Sequence, residues 1–247
     1  MREGQLNFCV DNYSSPGQFL VSDRFFRSPA QDNAAGGDYV IQFRIVGPAC
    51  GIDHDYDSLG DLCDRWPEVN RVFDTLLEVK NLVLLLGNHD QWALEWFLQR
   101  KAPEIWLMQG GNVTIGSYGQ GIPDSHVELL AHARLYHQLD NKLFVHGGFN
   151  PEVDIEMQDK DTFLWDRSLI RSALMLRDLG DETNLSHYDE IYVGHTPTIN
   201  FEGTLPIKAC EVYLMDTGAG WPGGVLTMMN IDNKEFFQSD PVDDLYP

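Results

Sequence analysis

Four short stretches of this chain carry potential metal ligands, three of them directly behind an apolar run. Leu82-Val83-Leu84-Leu85-Leu86 is followed at once by Gly87-Asn88-His89-Asp90. Lys142-Leu143-Phe144-Val145 runs into His146-Gly147-Gly148, and Glu190-Ile191-Tyr192-Val193 into Gly194-His195-Thr196. Upstream stands Gly60-Asp61-Leu62-Cys63-Asp64-Arg65. Asp, Asn and two His converging on one place make a hard oxygen-and-nitrogen site suited to a divalent cation. Such a constellation is catalytic in character.

The elements that must position these residues can be read around them. Apolar runs with β-branched residues, stopped by Gly, are buried strands of an α/β sheet. Open sheets of this kind gather ligands beyond the carboxyl ends of their strands. Pro67 opens a helix whose Val69, Val72, Phe73, Leu76 and Leu77 share one face. A Trp-rich helix is expected from about Gln91 to Arg100. Asp124 caps a helix through Val127, Leu130 and Arg134, and another begins near Asp166 and passes Leu169, Ala173 and Leu176. Strands are expected over Val212–Met215, Val225–Asn230 and Phe236-Phe237. Strand-helix units first and back-to-back strands last predict an α/β sandwich of two sheets flanked by helices.

Two segments differ in patterning. Residues 51–247 carry all of this regularity and read as one domain. Residues 1–50 are poorly patterned, with strand-like Gln18–Val21 and Tyr39–Val46 around a loop-like Ser28–Gly37. An altered reading frame in the first fifty residues would produce such an abrupt change. Just before Gly60, the stretch Tyr56-Asp57-Ser58-Leu59 offers little for a strand, so Asp61 is expected on a shortened one.

Bulk properties narrow the function classes. The chain has 247 residues, 43% of them hydrophobic, which suits a globular protein with a real core. Its formal net charge of −21 disfavours nucleic acid as a partner. A phosphate-bearing substrate would need cations and arginines to create a local positive focus. No apolar stretch approaches the roughly 20 residues that span a bilayer, so no membrane partner is expected. Met1–Gln5 lacks the layout of a secretory signal, and the four cysteines form no CxxC pair, which points to the cytoplasm.

Gly60-Asp61-x-x-Asp64-Arg65, Gly87-Asn88-His89-Asp90, His146-Gly147-Gly148 and Gly194-His195-Thr196 resemble successive motifs of the calcineurin-like metallophosphoesterases. Phe163-Leu164-Trp165-Asp166-Arg167 and Met215-Asp216-Thr217-Gly218-Ala219-Gly220 look like later segments of the bacterial and phage serine/threonine phosphatase branch. The resemblance covers roughly residues 51–240. It implies an α/β/β/α sandwich and a phosphomonoester hydrolase acting on phosphoserine or phosphothreonine of proteins by attack of metal-bound hydroxide. The implied metal ligands are Asp61 (bridging), Asn88, His146 and His195. His89 resembles the general acid for the leaving alkoxide, with Asp64 holding its tautomer. Arg65 and Arg167 would grip the phosphoryl oxygens. Asp64 would also cap the helix that Pro67 opens, while Asp216 would shape a turn with Thr217 and Gly218. Manganese is the expected ion, with iron or zinc as alternatives, and the family normally holds two metals.

The chain departs from that family at its opening motif. No Asp-x-His-Gly is present anywhere, and the nearest approach at the opening is Phe19-Leu20-Val21-Ser22-Asp23. The second metal therefore keeps only the bridging Asp61. Two alternatives stay open: a dinucleoside polyphosphate hydrolase, for which Trp66, Trp92, Trp96 and Trp106 are available as stacking aromatics, and a catalytically impaired module that binds phosphoprotein. His126, His132, His137 and His187 carry no expected role, and Cys63 reads as a packed, inert thiol.

Overall fold

A computed structural model describes residues 19–21, 55–65, 67–119 and 121–245. The expected Tyr39–Val46 strand and Ser28–Gly37 loop, and Asp23 and Trp66, lie outside the described residues. Among the described residues, ten strands form two five-stranded sheets. In chain order they are β1 (Phe19–Val21), β2 (Asp55–Ser58), β3 (Asn81–Leu84), β4 (Tyr136–Leu139) and β5 (Lys142–Val145). β6 (Glu190–Val193), β7 (Ile207–Ala209), β8 (Val212–Leu214), β9 (Thr227–Asn230) and β10 (Phe236–Gln238) follow. The first sheet runs β10-β9-β1-β2-β3 and the second β4-β5-β6-β8-β7. Both are mixed. Strands β1, β2 and β3 are parallel, as are β5, β6 and β8, with antiparallel strands at the margins.

Alternation along the strands explains the layering. In β5, Leu143 and Val145 face one cluster with Ile191 and Val193 of β6 and Val212 and Leu214 of β8. The residues between them, Phe144, Tyr192 and Tyr213, face the other way, into the space between the sheets. These are direct cross-strand partners, so their rings stack: Phe144–Tyr192 at 5.0 Å and Tyr192–Tyr213 at 4.9 Å between centroids. His137 of β4 continues the stack onto Phe144 at 5.7 Å. A one-residue slip would turn this aromatic row outward, so the row fixes register.

Helices cover the outer faces. α1 (Val69–Leu77), α2 (Asn88–Gln99) and α5 (Asp124–Ala131) pack on the first sheet through Phe73, Phe97 and Leu130. α6 (Lys160–Trp165) and α7 (Ser168–Asp178) pack on the second through Phe163, Leu169 and Ala173. The result is the expected α/β/β/α sandwich. Between α2 and α5 lie the short α3 (Glu104–Trp106) and α4 (Asn112–Ser117), and α8 (Val242–Leu245) ends the described chain. Among the described residues no helix is long and apolar enough to cross a membrane.

Several boundaries differ from expectation. α2 begins at Asn88, not near Gln91, so Asn88 and His89 occupy its first turn. α5 ends at Ala131, and Arg134 lies beyond it, bonded through its backbone to Leu84 and Leu86. Leu77 is largely exposed although the other four apolar positions of α1 are buried. β2 is indeed short, at 4 residues, yet it sits inside the sheet between β1 and β3. Neighbouring backbone on both sides supplies the pairing that its own side chains do not predict.

Candidate active site

The parallel strands of both sheets deliver their carboxyl ends to one place. Asp61 follows β2, Asn88 and His89 open α2 after β3, His146 follows β5, and His195 stands two residues past β6. A Leu59 carbonyl joins the halves, accepting a 2.7 Å hydrogen bond from His146 Nδ1–H. Asp61, Asp64, Arg65 and His195 all have left-handed backbones, with φ between 54° and 76°. Non-glycine residues in that region store strain, which surrounding structure must hold in place.

Asp90 is the holder on the first sheet. Its carboxylate accepts backbone N–H bonds from Asp61 at 2.6 Å, Leu62 at 2.8 Å and Gly87 at 3.0 Å, clamping two loops together. The Gly87 bond is the back-reaching half of a capping box on α2. Burial first, and then the Asp61 charge, raise the Asp90 carboxyl to about 7, against the lowering by its three N–H donors. Gly87 must lack a side chain, because a Cβ there would fall on Asp61 Oδ1. Asp61 Oδ1 accepts the His89 backbone N–H at 3.0 Å.

A second cluster surrounds His89. Its Nδ1–H donates to Asp64 Oδ2 at 2.5 Å. Asp64 is buried, accepts the indole N–H of Trp106 at 2.8 Å and the Thr114 hydroxyl at 2.6 Å, and donates its own N–H back to Thr114 at 2.9 Å. With three donors aimed at it, Asp64 acts as an acceptor and fixes His89 with Nε2 free of that bond. Asp64 does not cap α1, contrary to the expectation from sequence. The helix starts at Val69, its N-cap is Glu68 without a side-chain cap bond, and the Asp64 oxygens are committed elsewhere.

The remaining group is a set of acceptors. His146 gives its Nδ1–H to Leu59, which leaves Nε2 as a lone pair. That nitrogen faces Asn88 Oδ1 at 3.0 Å and Asp61 Oδ1 at 3.5 Å. One ligand atom each from Asp61, His146 and His195 lie within 4.8 Å of one another. Burial is the main cause that lowers both imidazoles, His195 to about 2 with the neighbouring His146 adding to it, so both are neutral at pH 7. Neutral imidazole nitrogens, a carboxylate and an amide oxygen turned toward one point fit a divalent cation.

The two arginines sit differently. Arg167 is lowered by burial and by Arg171, and the carboxylates of Asp61 and Asp216 act on it in the opposite direction. Arg65 lies with its guanidinium carbon 3.9 Å from the ring centre of Trp221. Asp216 accepts the Gly218 N–H at 2.9 Å, which is the turn expected of it. Cys63 is buried, with its thiol raised well above the ordinary value, chiefly by burial. His126 is packed, bonded to Tyr118 at 2.9 Å and Asp74 at 3.0 Å.

Sequence reasoning missed Asp90, Thr114 and Trp165, and gave Trp106 only a stacking role. Asp90 had a signal, since an acid three residues after Gly87 at a helix start is a capping-box position. Thr114 and Trp106 lie 50 and 42 residues from Asp64, and no local pattern links them. Trp96 and Trp106 are core residues. Trp92 stands edge-on to His89 at 5.3 Å and meets Trp165 at 5.2 Å, and Trp165 in turn lies 5.7 Å from His195.

Residues 57–235 match the family described as Calcineurin-like phosphoesterase, and the chain belongs to that family. Among solved structures it is similar to a protein provisionally named a diadenosine tetraphosphatase, at TM-score 0.56 and 13% identity over 92% of this chain and 95% of that one. A metallophosphoesterase from Sphaerobacter thermophilus aligns at TM-score 0.49 and 12% identity, over 92% and 91% of the two chains. A cold-active protein-tyrosine phosphatase of a psychrophilic Shewanella species aligns at TM-score 0.46 and 13% identity, over 76% and 70%. No curated protein sequence matches the chain.

Proposed function

We propose that this chain is a divalent-metal-dependent phosphomonoester hydrolase with phosphoserine and phosphothreonine of proteins as its substrates. One observation carries the reading: the lone pair of His146 Nε2 faces Asn88 Oδ1 and Asp61 Oδ1 with His195 alongside, directly next to a His89–Asp64 pair. Asp61, Asn88, His146 and His195 would hold the cation, and manganese suits them, with iron or zinc as alternatives. When bound, such a cation supplies charge neutralisation and activates the attacking water. His89, its Nδ1 tied to Asp64, presents Nε2 to the leaving oxygen and delivers the proton. Arg65 and Arg167 hold the phosphoryl oxygens by bidentate hydrogen bonds. The protein-directed specificity rests on the likeness of the Phe163–Arg167 and Met215–Gly220 segments to the bacterial branch. A cytoplasmic location, with neither nucleic acid nor membrane as partner, goes with this reading.

A second reading is a dinucleoside polyphosphate hydrolase. Trp92 and Trp165 favour it, because they form an aromatic wall beside His89 and His195, and Trp165 is 37% exposed. A base carried by the substrate could stack there. Phosphate release from a phosphoserine peptide and from a diadenosine polyphosphate, each with added manganese, separates the two. The proposal expects turnover of the peptide that disappears in Asn88→Ala. Turnover of the dinucleotide alone would move the assignment to the second reading, and binding of the phosphopeptide without turnover would make the chain a binding module.

A further inference from the structure

The first sheet ends at β3, and part of that edge is open. Leu85 N–H donates to Ser58 O at 2.9 Å, on the β2 side. By the period of two, the backbone groups of Val83 also turn to β2, and those of Leu82, Leu84 and Leu86 turn outward. Downstream, the chain itself fills this outer side. Arg134 N–H donates to Leu84 O and Leu86 N–H to Arg134 O, both at 2.8 Å, so that Arg134 forms a parallel bridge to Leu85. Upstream, the Leu82 N–H and C=O and the Leu84 N–H meet no neighbouring strand among the described residues. This stretch of edge faces a cleft of about 400 Å³.

The cleft has apolar walls and a basic end. Leu76 and Leu77 of α1 form one wall and Leu129 of α5 the other. Leu77, 45% exposed, is the apolar position of α1 that leaves the buried face. Leu82 and Leu84 turn their side chains to the same helix-side cluster, while Val83 turns between the sheets. A chain laid along the edge would therefore direct alternate side chains into the cleft. Arg134 stands at its downstream end. That side chain is exposed, lies 3.4 Å from His137 Nδ1, and makes no ion pair among the described residues. The lining carries Lys80 and Arg134 against Glu128, on a chain whose formal net charge is −21.

We propose that the β3 edge is a docking site for an extended peptide segment of a partner protein, apolar at alternate positions and acidic where it meets Arg134. Strand addition satisfies the outward groups of Leu82 and Leu84 and seats alternate apolar side chains against Leu76, Leu77 and Leu129. Unpaired edge groups are a template for such pairing. A second copy of this chain is disfavoured as the occupant, since two chains of charge −21 repel each other. No residue of the cleft belongs to the candidate active site, so docking stands independently of the phosphatase reading.

The test uses the full chain, isotope-labelled for amide exchange, and the capped synthetic peptide Glu-Val-Thr-Ile-Thr-Val-Glu, whose acids at both ends suit either strand direction. In the chain alone the Leu82 and Leu84 amides should exchange readily, and the peptide should slow both by about tenfold or more. Leu77→Asp and Arg134→Glu, both at exposed side chains, should keep the parent Tm and weaken binding by about tenfold, as read by fluorescence anisotropy. Arg134→Glu should regain binding when the terminal acids of the peptide are exchanged for Lys. A central Pro in the peptide, which cannot extend a ladder, should abolish binding. No binding, or binding untouched by Leu77→Asp, would overturn the proposal. Protection of the Leu82 and Leu84 amides without peptide would also overturn it. Protection that grows with protein concentration would put a second copy on the edge, and protection at every concentration would mean that the chain covers the edge itself.

Discussion

At the scale of single residues, the chemistry turns on which atom of each side chain is already engaged. His89 has Nδ1 committed to Asp64, and His146 has Nδ1 committed to Leu59, so both turn Nε2 inward for different tasks. If His89 protonates the leaving group, its loss must matter most where that group is a poor one. His89→Ala is expected to lower kcat by about 10²- to 10⁴-fold on a phosphoserine ester and by much less on p-nitrophenyl phosphate, whose leaving group departs without a proton. Equal losses on both substrates would contradict the role. Trp106→Phe removes one of three donors to Asp64 while keeping an aromatic ring, and should cost about 1 kcal/mol of stability together with a several-fold lower kcat. Chemical denaturation and steady-state kinetics measure the two effects. Asn88, His89, His146 and His195 stood out because each follows an apolar run in sequence, whereas Asp64 was singled out by the likeness of its motif alone. Thr114 and Trp106 were not, since their link to Asp64 exists only once α3 and α4 fold back over the loop.

At the scale of elements, the loop between β2 and α1 and the start of α2 act as one clamp closed by Asp90. Replacing Asp90 by Ala leaves three buried N–H groups unmatched, each costing about 1–3 kcal/mol. Asp90→Ala should therefore unfold by several kcal/mol more readily, as read from a denaturant midpoint. A loss below 1 kcal/mol would mean that the clamp is not what holds Asp61. The second sheet carries a pH effect of its own. Burial, then Arg134, lower the His137 imidazole, which stacks on Phe144 with Asp57 3.9 Å away. The unfolded chain takes up a proton near the ordinary value of about 6.5, before folded His137 does. Stability is thus lost as the pH falls through that value. His137→Phe, which keeps the stack, should have a shallower fall of Tm between pH 7 and 5.5 than the parent. Sequence patterning showed β3, β5, β6 and β8 almost to the residue, because buried parallel strands are continuous apolar runs. It did not show β2, whose Asp-Tyr-Asp-Ser text becomes a strand only because β1 and β3 flank it, nor the partly polar marginal strand β4.

At the scale of the whole molecule, the site is a seam. Asp61 and Asn88 come from the first sheet, His146 and His195 from the second, so a bound cation would join the two halves. Manganese at a hundred times its dissociation constant should raise folding stability by about 2.7 kcal/mol, and a chelator should reverse the gain. On the proposed function, the same seam would let an acidic chain with a formal net charge of −21 receive a phosphoester, because a bound cation and the two arginines would reverse the sign of the field locally. This architecture was legible from four motifs in order, three of them after an apolar run. The aromatic wall of Trp92 and Trp165 was not, because it pairs α2 with α6, 73 positions apart in the numbering.

The central claim is that Asp61, Asn88, His146 and His195 hold a cation on which phosphoester hydrolysis depends. The most direct measurement is hydrolysis of p-nitrophenyl phosphate by the purified chain with and without manganese, alongside manganese binding by calorimetry, for the parent and Asn88→Ala. The account predicts turnover that requires manganese in the parent, with binding and turnover lost together in Asn88→Ala. Manganese bound by the parent without turnover, or turnover that survives unchanged in Asn88→Ala, would contradict it.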